Sequence, residues 1–579
     1  AGSGKTELLI QRYLRLLATV ENPEEILAIT FTRKAAAEMQ LRVLEALRRE
    51  AAGVEPDEAH LKVTAGLARR ALERSDKRGW GLLGSPRRMR ILTLDALNAT
   101  IARAQPLTAE QGLSGGRIVV DADLKSVHRE AAVATLDWLT ETGPMADAAR
   151  DVLAHVDNNT GLYIAYVAAM LTTRDQWLPF IGSGSLDDQE SAALRAQFEQ
   201  SLRLAVTSHL ERTRAALAPY EQVADVFGYA ADNLLADGKT DNPVVVLADV
   251  DALPGSDPDD VATWQGIAEL LLVKSAAQFR KQVNKNNGFP TTGKDEKALV
   301  TGMLKALAND ERSATLLDAV RTLPPVTYSD HQWQVLLALF RLLPLAVSEL
   351  KRLFTEKGLA DHIEVALAAG TALGSADSPG DVALLLDYQV RHILVDEMQD
   401  TSSAQYRMLE ALTGGWEAGD DRTLFCVGDP MQSIYRFRNA EVGQFLLARE
   451  HGIGDIQLES LVLRRNFRSG EILVDWFNEV FPNVLAAEND PARGEVAYEA
   501  AVSAAHLTGQ GTVAVHPVFG TAKAAEATTG CEVIKKIVAM SPDDDIAVLV
   551  QGRSQLPELL ARLRDAGIGY SAVEIDRLT

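Results

Sequence analysis

Ala1-Gly-Ser-Gly-Lys-Thr6 is the end of a phosphate-binding loop, G-x-x-x-x-G-K-[ST], whose first glycine is not in the chain. Backbone N–H groups of such a loop, here those of Gly2, Ser3 and Gly4, wrap the phosphates of a nucleotide. Lys5 supplies neutralising charge, and the Thr6 hydroxyl suits Mg²⁺. The following helix aims its positive end at the same place. Alone, the stretch equally suits a Gly/Ser start to an amphipathic helix, Glu7 to Leu17. Its surroundings decide between the two. After Asn22-Pro23 comes Ile26-Leu-Ala-Ile-Thr-Phe31, a continuous apolar run of the kind that forms a buried parallel strand. An Ala-rich helix from Thr32 to about Glu50 follows. Loop, helix, strand and helix form a βαβ unit lacking its first strand.

Composition narrows the class. At 579 residues the chain needs several cores, and its net charge of −22 argues against a uniformly basic nucleic-acid coat but leaves room for a local basic channel. Two cysteines, Cys426 and Cys531, exclude a disulfide framework and a four-cysteine metal site built from this chain alone, which fits a reducing cytoplasm. No run of eighteen apolar residues is present, so no membrane span is expected.

Strand patterns recur at Arg90–Leu94, then give way to mostly helical sequence from about 107 to 380. Within it, Lys274 to Lys297, with Arg280, Lys281, Lys285 and Lys294, is basic enough to contact phosphates or simply to be a solvated helix end. Strand patterns return at Val390–Glu397, Thr423–Val427, Glu459–Leu463, Gly511–His516 and Asp545–Val550. The expected fold class is α/β, parallel sheets flanked by helices: an α/β layer interrupted by a long helical insertion and then resumed.

The chemistry gathers at strand ends. Ile393-Leu-Val-Asp-Glu397 is an apolar strand ending in two acids. Asp396 can hold Mg²⁺, and Glu397, beside the metal, can polarise the water that attacks the γ-phosphorus. Gln432 follows the next strand, placed to sense the γ-phosphate. Arg464, Arg465 and Arg468 follow a domain boundary, and Arg468 can act as an arginine finger. Phe31, Tyr435 and Phe437 alternate with Arg33, Lys34, Arg436 and Arg438, a pattern that stacks on bases while cations hold phosphates.

The order of these motifs resembles the superfamily 1 DNA helicases of the UvrD/Rep type, and most closely the AddA and RecB motor subunits of recombinational repair. AGSGKT at 1–6, AITFTRKAAAEM at 28–39, ILVDEMQDTS at 393–402, CVGDPMQSIYRFRNA at 426–440, LRRNFRS at 463–469 and IAVLVQGR at 546–553 look like motifs I, Ia, II, III, IV and IVa. The resemblance implies two RecA-like P-loop domains with a large helical insertion in the first: a first motor domain of 1–106 and 381–457, an accessory insertion of 107–380, and the start of a second motor domain at 458–579. It implies ATP and Mg²⁺ as cofactors. It places nucleotide at Gly2, Ser3, Gly4, Lys5, Thr6, Glu7, Tyr435 and Arg468, with Tyr435 on the adenine, and metal at Thr6, Asp396 and Glu397. Catalysis falls to Glu397, Gln432 and Arg468, and DNA contact to Phe31, Thr32, Arg33, Phe437 and Arg438. It further implies 3′→5′ movement on single-stranded DNA up to a duplex junction, an AddB-like or nuclease partner, and a cytoplasmic location. The alternatives are the motor part of a helicase–nuclease and a DNA-binding protein with a relic motor. Motifs V and VI have no counterpart before Thr579, so the chain is expected to be a piece of a longer protein that does not unwind DNA by itself.

Overall fold

All five side chains of β1 (Ile26–Thr30) are buried, as in a parallel sheet covered on both faces, and strands pair with it on both edges. The computed structural model describes residues 2–104, 117–118, 122–181, 188–274, 276–375, 378–417, 419–434, 441–518, 523–550 and 552–571. Four strands make the main sheet, in the order β2 (Arg90–Thr93), β1, β3 (His392–Val395), β4 (Thr423–Cys426). In register, Ala28 faces Ile91 on one side and Leu394 on the other, and Leu394 faces Phe425. The sheet is therefore completed by chain returning after a long excursion. Since every pairing is parallel, the strands' carboxyl ends lie along one edge, where open α/β sheets bind ligands.

Helix α1 (Lys5–Leu17) buries Leu9, Ile10, Tyr13, Leu14 and Leu17, a stripe at helical spacing, in one core with Ala28 and Leu394 of the sheet. Helices α2 (Arg33–Ala51) and α3 (Ala59–Arg78) close the same core with Val43, Leu47 and Ala68. At the start of β3, His392 Nδ1 is 3.0 Å from Thr423 Oγ1 of β4. Burial, and then the charges of Arg12 and Arg391, push its pKa down to about 4 from 6.5. The folded state thus favours neutral imidazole. Stability from this residue is complete above about pH 6.5 and lost as the pH falls toward 4. We expect His392→Asn to flatten the pH dependence of the unfolding midpoint across this window; an unchanged slope would show that the imidazole is not held neutral.

The chain divides into two compact units, Ala1–Leu97 with Gly374–Thr579, and Asn98–Leu373. The second unit is predominantly helical. One of its cores gathers Phe227, Trp264, Ile267 and Phe289. Another forms around the 28-residue helix Asp330–Lys357. By length and composition this helix could cross a membrane, but it buries Leu342, Ala346 and Leu350 against the helices Ala122–Asp137 and Thr160–Leu171. Nearby, Arg174 is fully buried and donates to both Asp361 oxygens at 2.5 and 2.8 Å, to Glu364 Oε2 at 3.3 Å and to the Leu171 carbonyl.

The strands expected at 459–463, 511–516 and 545–550 are not formed. Their apolar runs have strand character, but no neighbouring strand among the described residues takes their ladder bonds, and Val515 and Leu549 stand exposed. Among the described residues after 457, the ladder formed is one short parallel pair, β5 (Arg465–Asn466) with β6 (Val502–Ser503).

Candidate nucleotide site

Gly4 caps α1 with φ 80° and Gly2 has φ 71°, left-handed conformations that favour glycine. The turn leaves the first N–H groups of α1 without helical partners, at its positive end. Lys5 opens the helix, and its Nζ lies 3.4 Å from Asp429 Oδ2 at the tip of β4. Gln432 Nε2 donates to the same oxygen. Lys5 and Gln432 therefore converge on Asp429, an acid the sequence reading gave no role although it stands shortly after a strand. Glu7, one turn in, accepts from Thr64 Oγ1 of α3 and lies 3.4 Å from Gln11 Nε2. Ser3 and Thr6 are partly exposed.

Asp396 and Glu397 directly follow β3, on the same sheet edge. Glu397 adopts φ 52°, ψ 43°, a left-handed conformation costing about 1–2 kcal/mol for a residue with a side chain. Its N–H donates to Asp396 Oδ1 at 3.0 Å. Burial, and then the charge of Glu397, raise the Asp396 pKa to about 6. The same two causes, in the same order, raise Asp400 to about 6. Three acids thus share a buried corner with too little positive charge, an arrangement that a divalent cation relieves. No group of three or more His, Cys, Asp or Glu among the described residues is arranged to hold a metal by itself. Mg²⁺ bound with a nucleotide needs only one or two protein ligands, and Thr6 and Asp396 are of the right oxygen chemistry.

Gln399 was given no role from sequence, yet it knits the corner together. It is 1% exposed. Its Nε2 donates to Glu397 Oε2 at 2.8 Å and Asp400 Oδ2 at 3.1 Å, and its Oε1 accepts the Asp429 N–H at 2.8 Å.

The segment around β5 reaches the phosphate loop. Phe467 N donates to the Gly2 carbonyl at 2.8 Å. Asn466 is buried, and its Oδ1 accepts the N–H groups of Arg468 and Ser469 at 2.8 and 2.9 Å, a side-chain turn that sets the backbone of Arg468. A Cβ on Gly2 would lie 2.6 Å from Arg468 Cβ, so glycine is required twice there, for its φ and for this approach. Lys5, Asp396, Glu397, Gln432 and Arg468 thus all belong to the first unit.

Of the residues assigned to DNA, Phe31, Thr32 and Arg33 follow the carboxyl end of β1. Thr32 caps α2 by accepting the Ala35 N–H at 3.1 Å, and Arg33 is exposed. Tyr435, Phe437 and Arg438 lie outside the described residues. In the basic stretch 274–297, Arg280 is not a surface cation. It is partly buried and donates to the carbonyls of Leu270 and Glu269, both at 3.1 Å, so its guanidinium pins a loop. Lys285 pairs with Asp237 at 3.5 Å.

Comparison with known proteins follows the same lines. The family model described as the UvrD/REP helicase N-terminal domain matches residues 1–452. The chain is similar to an ATP-dependent helicase/nuclease subunit of Levilactobacillus brevis, 25% identical over 522 residues, covering 86% of this chain and 38% of the relative. The protein of the same name from Exiguobacterium sibiricum is 28% identical over 517 residues, covering 86% and 39%. That from Geobacillus thermodenitrificans is 26% identical over 643 residues, covering 99% and 47%. The chain spans less than half the length of each of these three relatives.

Proposed function

This chain belongs to the UvrD/REP helicase family, and from that premise we propose that it is the ATP-driven motor portion of an AddA-like DNA helicase. The observation that carries this reading is the convergence of Lys5 and Gln432 on Asp429, at the same strand edge as Asp396 and Glu397. In this reading the backbone of residues 2–6 cradles the ATP phosphates. Lys5 leaves Asp429 to pair with them, and Gln432 turns from the same carboxylate toward the γ-phosphate. Thr6 and Asp396 would hold Mg²⁺, which would neutralise phosphate charge. Glu397 takes a proton from the attacking water, and Arg468, set by Asn466, stabilises charge on the transferring phosphoryl group. Tyr435 stacks on the adenine.

The two-domain architecture belongs to this proposal: RecA-like parts 1–106 with 381–457 and 458–579, and an insertion, 107–380, that grips DNA. So do 3′→5′ translocation on single-stranded DNA toward a duplex junction, contact with it through Phe31, Thr32, Arg33, Phe437 and Arg438, a role in recombinational repair, an AddB-like or nuclease partner, and a cytoplasmic location. The names of the relatives, which join helicase to nuclease, favour the helicase–nuclease setting over a relic motor. The test is ATP turnover by the full-length protein, with and without single-stranded DNA. Lys5→Ala is expected to lower it at least about 100-fold, as loss of a preorganised transition-state contact does. Turnover indifferent to Lys5→Ala would remove the site.

A further inference from the structure

We propose that Gln399 is a positioning residue for the proposed catalytic base, holding the Glu397 carboxylate in its working orientation and tying it to the loop that carries Asp429. The inference rests on the ATPase reading above and adds a residue to it.

The seat of this amide is fully specified. Both N–H bonds go to carboxylates, Glu397 Oε2 and Asp400 Oδ2, and its oxygen takes a backbone N–H, that of Asp429. The two ends have opposite partners, so only one orientation of the amide satisfies them. The backbone is held as well: Ser433 Oγ donates to the Gln399 carbonyl at 3.3 Å. Opposite, Gly428 leaves the space the side chain needs. A Cβ there would lie 2.9 Å from Gln399 Oε1 and 2.6 Å from the Phe445 ring.

The chemistry suits an amide and little else. Glu397 must be fixed yet remain basic. A Lys or Arg in this seat would fix it by an ion pair and hold its proton affinity down. A hydroxyl could donate only once. Glutamine donates twice and accepts once with no net charge, so it orients the carboxylate without neutralising it. Through Asp429, whose side chain meets Lys5 and Gln432, the same amide joins the base to the groups on the phosphate side. Placement of Glu397 and placement of the Asp429 loop are thereby made one event.

The test uses Gln399→Met, which keeps volume and removes both functions, and Gln399→Asn, which keeps an uncharged amide but draws it back by one methylene from its partners. Single-turnover ATP hydrolysis and ADP affinity are measured in the full-length protein. Both variants are expected to hydrolyse ATP about 30-fold more slowly, the worth of one hydrogen bond to a charged group, with ADP affinity within about threefold of wild type. A residue that only braced the fold would lower binding and turnover together. Hydrolysis by Gln399→Met near the wild-type rate, or affinity falling in step with hydrolysis, overturns the proposal. Lys5→Ala alongside separates the two levels. Turnover insensitive to Lys5→Ala overturns the ATPase reading and this proposal with it; turnover sensitive to Lys5 but indifferent to Gln399→Met overturns this proposal alone.

Discussion

Replacing Glu397 with Gln is expected to slow single-turnover ATP hydrolysis about 10³-fold, within the range for loss of a general base, while nucleotide still binds. The substitution keeps the shape of the side chain, and Gln399 can still donate to the amide oxygen that replaces Glu397 Oε2. It removes the charge that, after burial, contributes most to raising Asp396 and Asp400. The corner thus loses repulsion as it loses its base, and nucleotide affinity should be equal to or tighter than that of wild type. Rapid-quench hydrolysis paired with equilibrium nucleotide binding measures both. Hydrolysis within tenfold of wild type would move the base to another residue. Loss of binding would make Glu397 a structural element of the site.

The second large effect concerns stability. Arg174 has no exposed surface and serves two carboxylates, one of which, Asp361, also accepts the Glu364 N–H at 2.7 Å. Burial works to raise the Asp361 pKa, but the His128 ring, 3.4 Å away, together with the hydrogen bonds and charge of Arg174, holds it well below the ordinary carboxylate range. Arg174→Met would strand buried negative charge, a loss of about 3–5 kcal/mol by analogy with other buried pairs cut on one side. Denaturant unfolding, with hydrogen exchange to assign the loss to residues 98–373, measures it. Adding Asp361→Leu and Glu364→Gln to that variant should restore much of the stability, because an apolar replacement of the whole group costs little. A single-variant loss below about 1 kcal/mol would mean that water reaches the cluster.

What was legible in the sequence follows from how local each feature is. Ala1–Thr6 and Ile393–Glu397 announce themselves because turn glycines, apolar strand residues and terminal acids are contiguous. Asp429 and Gln399 did not. Their roles come from contacts with Lys5, 424 residues away, and with the strand tip 30 residues away. Asn466 lies within the run 463–469, but its work, a side-chain turn behind Arg468, shows only in the backbone geometry. Arg280 misled for the opposite reason: its neighbours in sequence are basic, while its neighbours in space are carbonyls. The apolar runs at 459–463, 511–516 and 545–550 read as strands because β character is local, whereas a ladder needs a second strand.

The register of β1 against β3 carries a cost in time. Ile26 meets His392, so roughly 360 residues must be synthesised before that pairing can form, about 20–70 s at ordinary elongation rates. During that interval one edge of β1 presents open N–H and C=O groups on a strand of five apolar-rich residues, the kind of edge that recruits other chains. Residues 98–373 are complete before β3 emerges and carry cores of their own, so they can fold first while the motor sheet waits. Nascent-chain proteolysis at successive lengths should show 98–373 becoming protected before 26–30. The interval between them is the window in which a ribosome-bound chaperone would have most to do.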